Sequence, residues 1–358
     1  MNRALAFLAL GCLFCLLAAS EAHATYDPLA SGSATISLSS SFRALLHREG
    51  VKLSGRKGAR VIGQRKVLLP VKGGEADPEI AKGSFELAGE VALASPGHSL
   101  PLSFLVVNTK PSPLYAKVGG GQQKLAKAKK ASFLRSGFAY GYKATGLTLS
   151  AKSATRLDKR LKVKGFEAGQ LLGSLKVSAN PATVAIEPTG KATLILDPAF
   201  AAKLSSLFVS RNPIFPAEHQ GDTFTLPIGP NGQLSPNGTE GTLRTEGALE
   251  LLALGYGQLF WKELWFQPDK SQALGEAELD PSPPYPGKQP EAGIFALGTG
   301  QVTSDPSART IALSGAPLTL TALTAQDLNE GFSRPQEKGD LFGPGEAAGS
   351  VSFTAKGR

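Results

Sequence analysis

Past residue 25 the chain holds three histidines, His47, His98 and His219, and no cysteine. No HExxH, HxH or clustered Asp/Glu/His spacing joins these histidines, so the pattern offers no dedicated transition-metal site. Serines are plentiful, yet none stands in a GxSxG elbow and no Ser-His-Asp arrangement is marked out by spacing. Glu276 and Glu278 alternate along one strand face, which suits solvent-facing carboxylates better than an acid/base pair. With no nucleophile, base or metal set to nominate, the chemistry legible here is that of binding, and the chain is not expected to be an enzyme. One candidate is the stretch KLAKAKK, where Lys124, Lys127, Lys129 and Lys130 follow Gly119-Gly120-Gly121 at a loop or hairpin end. Ammonium groups at that density suit polyanions such as cell-wall polymers or anionic lipid, or simply form a solvated face. Almost no aromatic residue interleaves them and no nucleic-acid-binding motif accompanies them, so nucleic acid is not an expected partner.

The elements that must position such groups occur twice. TISLSSSFRALL at 35–46 is echoed by TLILDPAFAAKL at 193–204, and a shift of 158 residues places Phe42 on Phe200 and Leu46 on Leu204. At the same shift GSFELAGEVAL from Gly83 falls on GTLRTEGALEL from Gly241, and Gly97 falls on Gly255. Towards the ends, GLTLSAKSATRLDKRL at 146–161 matches PLTLTALTAQDLNEGF at 317–332, and GSLKVSA at 173–179 matches GSVSFTA at 349–355. The shift there has grown to 171 and then 176, because DPSPPYPGKQPEAG at 280–293 inserts a Pro/Gly-rich loop. A unit of about 160 residues is domain-sized and far too long for a solenoid repeat. The chain is read as a tandem of two homologous domains.

Each copy reads as mostly β. Short alternating runs such as ATISL, SFELAGEVAL, LPLSFLVVN and SVSFTA are punctuated by many of the 41 glycines and 25 prolines. Two stretches per copy look helical: one after SSS or LDP, with Ser40 or Asp197 as N-cap and Pro198 in the first turn, and one at SAKSATRLDKRL or TALTAQDLNEGF. The expected fold class is all-β, two tandem antiparallel β-sandwich domains or flattened barrels, each with two short helices.

Residues 1–24 read as a signal peptide, with Arg3, the apolar run 4–19 and Ala22-His23-Ala24 as the cleavage signal. There follow an expected linker at 25–34, a first domain at 35–180, a linker at 181–192 and a second domain at 193–358. The mature chain is therefore expected to be secreted or loosely held at the cell surface, with no transmembrane segment after cleavage. Charge divides the copies: from Arg43 to Lys176 there are 25 lysines and arginines against 8 acids, and from Glu187 onward 12 against 19. The first copy is basic and the second acidic, so charge pairing between domains or between chains is a further expectation.

Several of these segments together resemble a known family. SSFR at the first short helix, GSFELAGEVAL leading to Gly97-His98, the run LPLSFLVVNTKPSPLYAKV and the helix LTLSAKSATRL resemble the HtaA domain of secreted and surface-attached actinobacterial haem-uptake proteins. The resemblance runs from about Thr35 to Ala179 and again from Thr193 to Ala355. It implies a β-rich domain in which haem lies beside the first helix, a Tyr of an SFRxY-like segment ligates the iron, and a His of the GH segment hydrogen-bonds that Tyr. By that resemblance the cofactor-binding candidates are Ser41, Phe42, Arg43 and His98 in the first copy and Phe200 and Tyr256 in the second. The tyrosine position itself is Leu45 in one copy and Lys203 in the other, and Tyr256 stands where the first copy has His98. Leucine has no lone pair for iron. The sequence thus implies a haem- or porphyrin-binding or relay protein that lacks the expected axial ligand, or else an extracellular adhesion or cell-wall module that binds polyanionic partners.

Overall fold

The computed structural model describes residues 26–77, 79–118, 121–280, 289–332 and 340–358. The expected signal peptide lies outside the described residues, as does most of the Pro-rich insertion.

In the first copy eight antiparallel strands close on themselves. Around the ring they run His98–Asn108, Lys82–Leu87, Lys66–Asp77, Asp27–Leu38, Leu171–Pro181, Ala139–Leu149, Gly121–Lys127 and Pro113–Val118, which pairs again with His98–Asn108. The second copy repeats the circuit with Gly257–Gln267, Gly241–Arg244, Thr223–Pro227, Lys191–Leu196, Ala347–Lys356, Thr310–Leu320, Gln289–Leu297 and Gln272–Asp280. There a single bridge, Ile228 to Thr245, joins the third strand to the second. Closure satisfies the edge groups that an open sandwich would expose. Each copy is a flattened barrel whose alternating side chains fill one core.

Among the described residues four short α-helices pack against the barrels: α1 (Ser40–Arg48), α2 (Ala151–Leu161), α3 (Pro198–Ser206) and α4 (Ala322–Phe332). Asp197 caps α3 as expected, accepting from the backbone N–H of Ala199 at 2.8 Å. In the first copy the cap is Ser39 instead of Ser40; its hydroxyl accepts from Phe42 N–H at 3.1 Å and donates to the carbonyl of Leu171 at 2.7 Å. The extended backbone of Ser39 is what lets its side chain fold over the helix end.

Two boundaries differ from the expectation. The strand Asp27–Leu38 occupies most of the supposed linker at 25–34, because both its neighbours pair with it as far out as Asp27–Ala76 and Leu29–Pro181. At the other joint, Val184–Ala185 pairs with Gln233–Leu234 of the second copy, so the supposed linker at 181–192 is partly strand. The insertion is also shorter than its composition suggests, since residues from Gln289 pair with the preceding strand.

Register places the two interiors side by side. Val91 faces Leu102 in the first copy and Leu249 faces Trp261 in the second; likewise Leu114 faces Ala126, and Ala273 faces Phe295. Trp261 and Phe295 meet edge to face at 5.0 Å between ring centres. Where they stand, the first copy has Leu102 and Ala126, and an apolar cavity of about 70 Å³ remains beside Phe42, Leu102 and Leu105. Duplicated backbones have been filled differently.

Where the copies meet, the first copy contributes an apolar side chain, Phe138 in one of its turns, to the second core. Beside it, buried Asp27 accepts hydrogen bonds from the Tyr140 hydroxyl and, at 2.8 Å, from Ala185 N–H, with the Arg135 guanidinium 3.7 Å away. Burial pushes the Asp27 carboxyl above its ordinary range despite these partners, and pushes the Arg135 guanidinium below its own.

Candidate functional site

The apolar face of the first helix in each copy was expected to border a ligand groove, and its spacing shows that this face is turned into the core. Phe42, Leu45 and Leu46 lie at i, i+3 and i+4, one face of a 3.6-residue turn, and all three are buried. Leu45 is 4% exposed, so the position implied for an iron ligand is a core position here. Phe42 tilts against Phe166 at 6.0 Å and borders the internal cavity. In α3, Phe200 and Leu204 occupy the same face, and Phe200 meets Phe342 edge to face at 5.8 Å. Phe42 and Phe200 are therefore core residues and do not line an open groove. Lys203 is committed as well: its ammonium pairs with Glu346, donates to the carbonyl of Leu341 at 3.0 Å and stands 5.1 Å over the Phe342 ring.

The remaining candidates sit outside the core. Ser41 is exposed, 3.0 Å from the Ser39 hydroxyl. His98 is exposed where the strands Glu90–Ser95 and His98–Asn108 turn into each other. Arg43 is half-buried and its Nε–H has no hydrogen-bond partner. The lysines Lys124 and Lys127 share the outer face of one strand, where a register shift brings them beside Lys152 around a shallow depression. Lys129 lies in the next turn against Gly146 and Lys130 opens the following strand, so the four lysines do not converge on one point. Glu276 and Glu278 face the same ammonium, Lys262, and form an ion-pair cluster instead of a solvent-facing pair. Among the described residues no group of three or more His, Asp or Glu could hold a metal ion.

Tyr256 is the candidate that structure gives company. The strand Val209–Ile214 pairs with Ala248–Ala253 so that Val209 faces Ala253, which sets Phe208 opposite Leu254. Tyr256 follows at once, its N–H bonded to the carbonyl of Ala253 at 3.0 Å to close the turn around Gly255. Phe208, Leu254 and Tyr256 are 78%, 85% and 51% exposed. Singly exposed apolar side chains are ordinary, whereas three at two facing turns form a face. Phe208 also holds a left-handed backbone, φ 57°, which is rare and costly for a bulky residue. The first copy has Gly50 at that place with φ 65°, opposite Pro96, with His98 in the place of Tyr256. The backbone is thus retained between copies while the glycine that suits it has become an exposed phenylalanine. The shift of 158 residues already pairs Gly50 with Phe208 and Pro96 with Leu254, but only the strand pairing shows that the two exchanges meet.

No family model matches the sequence, and no curated protein matches it. Among solved structures, two domains of one protein are similar. The C-terminal domain of HtaA from Corynebacterium glutamicum matches over 44% of this chain and 99% of that domain, at 14% identity and a TM-score of 0.37. The N-terminal domain of HtaA from Corynebacterium glutamicum matches over 48% of this chain and 98% of that domain, at 14% identity and a TM-score of 0.36. Each is the size of one copy here. The Tyr-plus-His pair that the sequence resemblance implies is present in neither copy, because the helix position is a core leucine in one and a paired lysine in the other.

Proposed function

We propose that the chain is an exported, non-catalytic binding protein whose second copy takes a flat, largely apolar ligand of the porphyrin type on the face formed by Phe208, Leu254 and Tyr256. The observation that carries this reading is the exposure of those three side chains at facing turns, with Phe208 in a backbone conformation that the first copy gives to glycine. Two aromatic rings and a leucine offer stacking and dispersion area to a macrocycle. Tyr256 also brings a phenol oxygen, and a phenolate is a competent ligand for ferric iron. When haem is the ligand, its iron supplies the coordination; the chain supplies the apolar platform and the tyrosine oxygen. The first copy, with Gly50, Pro96 and His98 there, has no such platform.

Haemin titration of the mature chain, read in the Soret and charge-transfer regions, tests this. Saturation at one equivalent is expected, with the band lost or shifted in Tyr256→Phe and affinity reduced at least tenfold in Phe208→Gly. Absence of saturable binding, or a Soret band indifferent to both substitutions, would overturn the proposal.

A further inference from the structure

The first copy has a second feature that the second copy lacks. Between α1 and the turns at residues 50–52 and 63–65 lies an open cleft of about 550 Å³, lined by Arg43, His47, Lys52, Gln64 and Arg65 among others. Three of these side chains are fixed cations, His47 adds ring nitrogens, and no carboxylate lines the cleft. Glu49, the residue just past α1, is turned elsewhere and pairs with Arg48 at 3.0 Å. Shifting to the second copy replaces Arg43, His47 and Lys52 by Ala201, Ser205 and Ser210. The place of Arg65 goes to Asp222: the carbonyl of Arg65 accepts from Leu38 N–H as that of Asp222 accepts from Leu196 N–H, each at the strand end before the helix. Asp222 is itself paired with Arg211 at 2.5 Å. The same frame therefore carries an internally balanced pair in one copy and an uncompensated set of cations in the other.

The walls of the cleft are fixed. Gln64 bonds both ways to Leu53, its amide nitrogen to the carbonyl and its oxygen to the N–H, each at 2.8 Å, and so ties the turn to the neighbouring strand. The Nε–H of Arg43 is removed from solvent without an acceptor. Like charges held around one cleft repel, and an anion placed among them relieves that repulsion.

We infer that this cleft is a binding site for a multiply charged phosphate-bearing ligand. Charge selects the class: a phosphate group carries about 1.5 to 2 negative charges near neutral pH, so two adjacent phosphates match three fixed cations where a single carboxylate does not. A cleft of about 550 Å³ is large enough for such a group, and the arginine fork suits its oxygens. The inference is independent of the porphyrin-type face, which lies on the other copy.

The experiment is calorimetric titration of the mature chain with inorganic pyrophosphate, beside tricarballylate as a phosphate-free trianion and sedimentation with phosphatidylglycerol vesicles as a lipid arm. Binding at one equivalent is expected, at least tenfold weaker for the double variant Arg43→Ala with Lys52→Ser. It should be unchanged for Lys143→Ser with Lys176→Ser, which removes the same charge from two exposed strand positions outside the cleft. Should the first pair unfold, judged by circular dichroism, Lys52→Ser with Arg65→Asp replaces it and must show the same loss. Three results would each overturn the inference: no saturable binding of pyrophosphate, whatever the vesicles do; equal loss in the cleft and control variants; or tricarballylate binding as tightly as pyrophosphate.

Discussion

Phe208→Gly separates a residue kept for a ligand from one kept for the fold. A left-handed conformation costs an ordinary residue about 1–2 kcal/mol, and glycine removes that cost. Against it stand two losses. Phe208 is 78% exposed, so about a fifth of an aromatic side chain's ~200 Å² is buried, about 40 Å², worth ~1 kcal/mol at about 25 cal/mol per Å². Glycine also gives the unfolded chain more freedom, about 0.5–1 kcal/mol. Gain and losses nearly cancel, and the variant should unfold within about 1 kcal/mol of the parent. Phe208→Ala loses the same area yet keeps the backbone strain, so it should be the less stable of the two by about 1 kcal/mol. Urea unfolding followed by tryptophan fluorescence measures both, because the two tryptophans, Trp261 and Trp265, lie in the second copy and report that domain. A loss above about 2 kcal/mol in Phe208→Gly, outside that balance, would show that Phe208 holds the fold. The case for a ligand face would then fail with it.

Two further outcomes follow from the interior. Trp261→Leu, which gives the second copy the residue that the first has at the matching register position, should cost about 2–4 kcal/mol in thermal or urea unfolding followed by circular dichroism. A cost below about 1 kcal/mol would mean that the second core is not close-packed around this ring. In α4, burial, with Glu330 nearby, raises Asp327 from the ordinary 3.8 to about 6. The folded state therefore holds this proton more tightly than the unfolded chain does, and stability falls as pH rises from about 4 through about 6. Asp327→Asn should be more stable than the parent at pH 7, with the difference gone below about pH 4, read as urea midpoints across that range; equal midpoints at pH 7 would contradict it.

The duplication, the all-β class and the short helices were legible in the residues alone, because these rest on local terms: alternation along a strand, caps such as Asp197, and a shift of 158 residues that keeps Phe42 on Phe200. The sequence also located Tyr256 as a candidate. What it could not decide is which side of an element a residue faces once strands from distant parts of the chain have paired. Leu45 matched an expected ligand position by number, yet the face shared with Phe42 and Leu46 puts it in the core. Phe208 and Leu254 are 46 positions apart in the chain and become neighbours only through the Val209–Ala253 pairing. Arg43 and Arg65 likewise meet across one cleft because a helix and a turn are tied to the same strands. Periodicity fixes what a segment becomes, whereas a binding face is assembled from side chains that long-range pairing brings together, and that information is carried by no single stretch of residues.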